Sequence, residues 1–480
     1  MNILMVTSET VPFSKSGGLA DVVGALSQAL ADRDNNVSIL MPMYGFIDNK
    51  KFRSKGSITV SVFGKEEKAE VLATKVGSVT YYAIKHPLYT DRKGIYGDTS
   101  FTPYEDNSYR YLLFSLFTLP FIKEVGLNVD IIHCHDWTTG FIPALVKRSK
   151  FNAKVIFTIH NLAYQGEFSR FDILRTLIKP SGDMFRGEGL EKRLNFLSTG
   201  LEYADMITTV SPSYAKEIQT KEQGCSLEQI LARRKDILYG IINGIDYKEW
   251  NSAKDKFFSE HYSATNLSPK AELKKAVQAE YGLEVNPSIP LIAMISRIAS
   301  QKGFEALLFG EKPVLENILQ DNKCQLILIG TGDKRYEEKL LLLGKKYKNL
   351  SVNIIFSQEA SHRVEGAADF FLMPSIYEPC GLNQLYSLHY GTLPIAHKTG
   401  GLADTIVDIE QDKSNGTGFL FESMDQEEII KTIENATNFY RENPEEYKKA
   451  QKRGMKVDFS WGRSAEKYDM LYKQLSGGAK

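Results

Sequence analysis

The sequence predicts a two-domain α/β protein in which each half is a doubly wound parallel sheet. Three observations lead there. The chain has 480 residues, more than the roughly 250–300 at which a single hydrophobic core stops growing. Short aliphatic runs alternate with longer helix-compatible segments, the rhythm of βα units. That rhythm restarts in mid-chain after Pro290.

In the first half the strand-like runs are Ile3–Val6, Val37–Met41, Ile131–Cys134, Val155–Ile159 and Met206–Val210. In the second half they are Leu291–Ile295, Gln325–Ile329, Val352–Phe356, Phe370–Met373 and Leu393–Ala396. Runs this apolar suit parallel strands buried on both faces. Polar and charged clusters and Asn286-Pro287 place the interdomain connection between about Trp250 and Pro290. This gives a first domain over 1–250 and a second over 251–459, followed by a tail from about 460 to 480.

Composition narrows the function classes. An apolar fraction of 42% with 25% charged residues is that of an ordinary folded protein. Lys plus Arg equals Asp plus Glu at 59 each, so no global field favours nucleic acid or an anionic membrane. The oiliest stretch, about Tyr111 to Ile122, is too short to span a bilayer. Cys134, Cys225, Cys324 and Cys380 are scattered and read as reduced thiols. With no basic region ahead of the first apolar run, a cytoplasmic location is expected.

One heptapeptide occurs twice. Lys15-Ser-Gly-Gly-Leu-Ala-Asp21 and Lys398-Thr-Gly-Gly-Leu-Ala-Asp404 agree at six of seven positions, each between a strand-like and a helix-like run. Paired glycines there either make a tight turn or offer amides to an anion. Two copies favour facing loops at one cleft.

Four further stretches carry chemistry. Arg297 and Lys302, in Ile295-Ser-Arg-Ile-Ala-Ser-Gln-Lys-Gly303, are either surface cations or donors for a departing diphosphate. Glu378 in Pro374-Ser-Ile-Tyr-Glu-Pro-Cys-Gly381 follows a strand, where it either caps the next helix or stabilises charge on a sugar. His160 and Asn161 end another strand-like run, and a histidine there either contacts a sugar or is structural. His133-Cys-His135-Asp136-Trp137 superficially suggests a metal site, but no third ligand has matching spacing, so no metal is expected. Asp136 and Trp137 suit a sugar better. Ile242-Asn243-Gly244 reads as a tight turn.

In their order along the chain, KSGGLADV, HCHDW, HNLAYQG, INGID, SRIASQKG, the run from SHRVEG to LYSLHYG and KTGGLADT resemble the glycogen and starch synthase family over nearly the whole sequence. The resemblance implies a GT-B architecture: two Rossmann-like domains facing across a deep cleft, with a final helix, here FSWGRSAEKYDMLYKQL, crossing back. It implies a retaining glucosyltransferase that extends α-1,4-glucan from ADP-glucose, with no cofactor. It assigns Lys15 and the amides of Gly17 and Gly18, with Arg297 and Lys302, to the diphosphate. Asp21, Asp136, His160 and Asn161 would line the sugar end, with Asn243 as a further substrate contact. By the same resemblance Glu378 would be the catalytic carboxylate, as nucleophile, electrostatic stabiliser or positioner, with Cys380 and Gly381 presenting amides to sugar hydroxyls. Tyr96 and Trp137 are implied acceptor contacts. The wider GT-B pattern of two glutamates eight positions apart is not met, because Tyr386 occupies the second place. Two alternatives stay open: a GT-B enzyme using UDP-glucose or another acceptor, and an inactive glucan-binding relative.

Overall fold

The structure is a computed structural model that describes residues 1–62, 64–98, 102–169, 185–186, 193–320 and 323–477. The chain forms two compact units: Met1–Gly244 with Trp461–Lys480, and Ile245–Ser460.

The first unit is built on a nine-stranded sheet. Its order is Leu238–Gly240, Met206–Thr209, Lys154–Ile159, Ile131–His135, Asn2–Val6, Asn36–Pro42, Val79–Lys85, Lys65–Val76 and Arg53–Val62. Neighbours pair in parallel from Leu238–Gly240 to Val79–Lys85, and the last two pairings are antiparallel. Side chains alternate across a strand, and the first strand shows it. Leu4 and Val6 join a core with Phe114, Phe117 and Phe121 of the helix Asn107–Glu124. Ile3 and Met5 face the opposite core, with Leu19, Val22 and Val23 of the helix Gly18–Ala31. The oily stretch near Tyr111 is thus a buried helix, and no helix among the described residues is long and apolar enough to cross a membrane.

The helix Trp461–Leu475 packs into that second core through Trp461, Ala465, Tyr468, Leu471 and Tyr472. Its Ser464 hydroxyl donates to the Ile242 carbonyl at 2.6 Å. The division between units falls at Gly244 and Ile245, earlier than the 250/251 boundary and the Trp250–Pro290 connection expected from sequence. Packing explains this: Trp250 stacks on Tyr386 at 3.7 Å and on His362 at 3.9 Å, so it belongs to the second unit.

The second unit carries a six-stranded parallel sheet ordered Leu350–Asn353, Gln325–Ile329, Leu291–Ile295, Phe370–Met373, Leu393–His397 and Phe419–Phe421. Here too Ile292 and Met294 enter one core and Leu291 and Ala293 the other. The expected strand Val352–Phe356 is instead Leu350–Asn353. Its partner ends at Ile329, opposite Asn353, so Ile355 and Phe356 have no strand to pair with and lie exposed.

Candidate active site

In open α/β sheets ligands bind beyond the carboxyl ends of strands where the strand order reverses. In the second unit that point lies between Leu291–Ile295 and Phe370–Met373. One strand leads into the Arg297–Lys302 loop, the other into Pro374–Gly381. The loops are laced together. The Ile376 amide donates to the Gln301 carbonyl at 2.9 Å, and the Gln301 side chain donates to the Tyr377 carbonyl at 3.2 Å. Gly303, at φ +80°, approaches so closely that a Cβ there would lie 2.0 Å from the Pro374 oxygen.

The lacing brings Lys302 Nζ to 2.5 Å from Glu378 Oε2, and the Ser375 hydroxyl donates to the same oxygen at 2.8 Å. Glu378 is 7% exposed. A carboxylate this buried needs partners, and it has a cation and a hydroxyl. Arg297 is exposed, its guanidinium 3.3 Å from Gln301 Oε1. The second Gly-Gly loop holds the glutamate's backbone: the Gly401 amide donates to the Glu378 carbonyl at 3.0 Å. A Cβ on Gly401 would lie 2.0 Å from the Cys380 oxygen. Cys380 is buried, Gly381 has φ +70°, and the Gln384 side chain donates to both their carbonyls.

In the first unit the order reverses between Asn2–Val6 and Ile131–His135. The loop after Val6 differs from the expectation of an open amide at Gly17. The Ser16 and Gly17 amides both donate to the buried carboxylate of Glu9, the latter at 3.2 Å. Burial raises the Glu9 carboxyl above its usual range, against these bonds. The loop thus binds an anion supplied by its own chain. Lys15 pairs with Asp21 at 2.8 Å. Tyr96 donates to Glu9 Oε1 at 3.1 Å and shares a 2.7 Å hydrogen bond with Ser8.

Asp136, just past His135, has φ +57°. Such backbone costs an ordinary residue about 1–3 kcal/mol and clusters at functional sites. Its carboxylate accepts from the His160 amide at 2.7 Å, and burial pushes its carboxyl up to about 7. Asn161 turns the next segment by accepting from the Ala163 amide at 3.0 Å. The His160 ring lies beside His135, with 3.0 Å between Nε2 and Nδ1. His133 bonds Tyr472 at 2.8 Å and Thr158 at 2.6 Å. Burial lowers His133 and His160 to about 3 and drives His135 well below the usual histidine range. These histidines are neutral, and no group of three or more His, Cys, Asp or Glu among the described residues is placed to hold a metal.

One candidate is only partly open, and one expectation needs correction. Trp137 is packed among Tyr111, Phe168 and Phe196, and a Cβ on Gly166 would lie 2.3 Å from its ring, so part of the indole is already covered. Asn243-Gly244 is not a turn. It runs without regular structure, and its glycine is needed because Trp461 backbone lies 2.6 Å from where a Cβ would stand. Asn243 is buried and shares no hydrogen bond with the other candidates among the described residues.

Comparison with known proteins decides the family. Residues 2–233 match the starch synthase catalytic domain, and residues 282–457 match glycosyl transferases group 1. A curated glycogen synthase of Anaeromyxobacter sp. (strain Fw109-5) is 40% identical, over 99% of this chain and 100% of its own length. The chain belongs to the glycogen and starch synthase family. A further family member, glycogen synthase 2 of Geobacter sulfurreducens, is also 40% identical, over 99% of both chains. Among solved structures, the catalytic domain of starch synthase IV from Arabidopsis thaliana, bound to ADP and acarbose, matches with TM-score 0.87 and 29% identity over 99% of both chains. A sucrose-phosphate synthase from Thermosynechococcus elongatus shares the fold at TM-score 0.62 and 18% identity, over 100% of both chains. The chain is a glycosyltransferase with two Rossmann-like domains.

Glu9, Ser375 and His135 gained no role from sequence reading. Glu9 and Ser375 bond to amides and a carboxylate only three to eight residues away, but those bonds depend on the loops' conformation, which the residue letters do not announce. His135 had a signal, its alternation with His133, but that pattern pointed to metal.

Proposed function

We propose that this family member is a retaining glucosyltransferase that elongates α-1,4-glucan, moving glucose from ADP-glucose to the non-reducing end of glycogen in the cytoplasm. The carrying observation is Glu378, a buried carboxylate held by Lys302 and Ser375 at the switch point of the second unit. Arg297 and Lys302 stabilise the charge that develops on the departing diphosphate. Lys302 has Glu378 as its partner before the donor arrives; the diphosphate competes for that cation and frees the carboxylate to act on the glucosyl residue. Cys380 and Gly381 are donor-sugar contacts in this reading, Lys15 with Gly17 and Gly18 serves the diphosphate side, and Asp21 lies at the sugar end. Asp136, His160 and Asn161 contact sugar hydroxyls, and Tyr96, Trp137 and Asn243 complete the substrate contacts. The relatives' names, the ADP and acarbose in the starch synthase IV title, and the free thiols Cys134, Cys225, Cys324 and Cys380 support this reading.

Glu378→Gln tests it, because the amide keeps the shape and removes the charge. Charge stabilisation confined to the transition state appears in kcat and not in donor affinity. With ADP-glucose and glycogen, kcat falls by about 10²–10⁴-fold, while calorimetric donor affinity stays within about three-fold. Affinity falling in step with kcat makes Glu378 a binding residue; normal values for both make it a loop brace.

A further inference from the structure

Two neutral imidazoles that hydrogen bond to each other share one proton, and which ring owns it fixes the tautomer of both. His135 and His160 are such a pair, with 3.0 Å between His135 Nδ1 and His160 Nε2. His135 is fully buried, and its other nitrogen, Nε2, makes no hydrogen bond among the described residues. If His160 donated, His135 would carry its proton on Nε2, leaving a buried N–H without an acceptor. If His135 donates, only a lone pair is left unpaired. Orphaned buried N–H groups are the rarer and costlier case. The ring of His135 is also held in place, lying 4.2 Å from that of His133, which Tyr472 and Thr158 fix at both nitrogens.

We infer that His135 is a positioning residue that locks His160 as the Nδ1–H tautomer, so that His160 offers substrate a hydrogen-bond donor and not an acceptor. His160 is half-buried, and its Nδ1 makes no hydrogen bond among the described residues. That nitrogen then donates to a hydroxyl or ring oxygen of a sugar. The sugar partner rests on the proposed function; the tautomer does not.

Long-range ¹H–¹⁵N correlation spectra of the full chain, labelled at its eight histidines, read the tautomer directly. His160 is assigned as the pattern lost in His160→Gln. The wild-type spectrum shows His160 protonated at Nδ1 and bare at Nε2; the opposite pattern overturns the inference, whatever the variants do. In His135→Phe the ring shape stays and the donor goes, so His160 shifts towards Nε2–H and kcat/KM for glucan extension falls about ten-fold, the worth of one hydrogen bond. His135→Asn restores an N–H near the Nδ1 position, and with it the wild-type pattern and most of the rate. A wild-type tautomer in His135→Phe, or no rescue by His135→Asn, removes His135 from the role. A tautomer that shifts as described while the rate stays unchanged leaves the lock standing and refutes His160 as a substrate contact.

Discussion

Lys302 and Glu378 illustrate how one contact serves two states. Glu378 is buried and Lys302 half-buried, and at 2.5 Å each offsets the other's desolvation, so removing Lys302 leaves the carboxylate without its cation. Lys302→Met therefore has two expected effects. It removes a cation from the departing diphosphate, costing about 2–4 kcal/mol of transition-state stabilisation, seen mainly in kcat. It also leaves Glu378 with Ser375 as its hydrogen-bond donor, lowering stability to denaturant. Steady-state kinetics together with urea unfolding check both; unchanged values in each would make Lys302 an ordinary surface lysine. Arg297, Lys302 and Glu378 were legible in the sequence because each directly follows a strand whose apolar run is plain. The pairing of Lys302 with Glu378 was not legible, since it depends on two loops separated by more than seventy residues meeting at one point.

At the scale of elements, the buried parallel strands read clearly, because a strand covered on both faces is a nearly continuous apolar run. Arg53–Val62, Lys65–Val76 and Val79–Lys85 did not. In Lys65–Val76, for example, exposed Lys and Glu interrupt the apolar positions, as in an antiparallel strand with one face towards solvent. The repeated Gly-Gly motif read correctly as a device at helix starts, but its amides serve Glu9 and the Glu378 backbone. This makes Gly401 a test of the element: a methyl there meets the Cys380 carbonyl and must push the Glu378 loop aside. Gly401→Ala should fold yet lose about 10²-fold in kcat, the cost of a displacement near 1 Å at the chemistry. A variant with wild-type kcat would show that the loop tolerates the shift.

The histidine element makes a pH prediction. His133 and His160 are lowered to about 3 in the fold and burial lowers His135 well below its usual range, while unfolded histidine titrates near 6.5. Between those values the unfolded chain binds more protons, so the contribution of these groups is fully present above about pH 6.5 and is lost as pH falls towards 3. Asp136, raised to about 7, has the opposite sign: its folded form keeps a proton that the unfolded form releases above about 4, which favours the fold at low pH. His135→Asn should flatten the stability slope between about pH 4 and 6 by up to about 1.4 kcal/mol per pH unit, one proton's worth. Denaturant melts across that range measure it, and an unchanged slope would mean that His135 titrates normally.

For the whole molecule, the return of Trp461–Leu475 to the first unit was legible from family likeness alone, whereas the division at Gly244 was not. It is set by aromatic stacking of Trp250, which composition cannot reveal. In the proposed reaction, side chains and amides supply all the charge compensation for the diphosphate. Chelation should therefore leave the rate within about two-fold; a large loss restored by Mg²⁺ would require a metal at the donor. The central claim is that this chain lengthens α-1,4-glucan from ADP-glucose, and it is tested most directly by following radiolabelled glucose into glycogen. The purified protein is given ADP-glucose or UDP-glucose, with and without primer, and the new linkages are digested with an enzyme specific for α-1,4 bonds. Label entering primer from ADP-glucose, released by that digestion and abolished in Glu378→Gln, is the predicted result; label that enters only from UDP-glucose, or none from either donor, contradicts it.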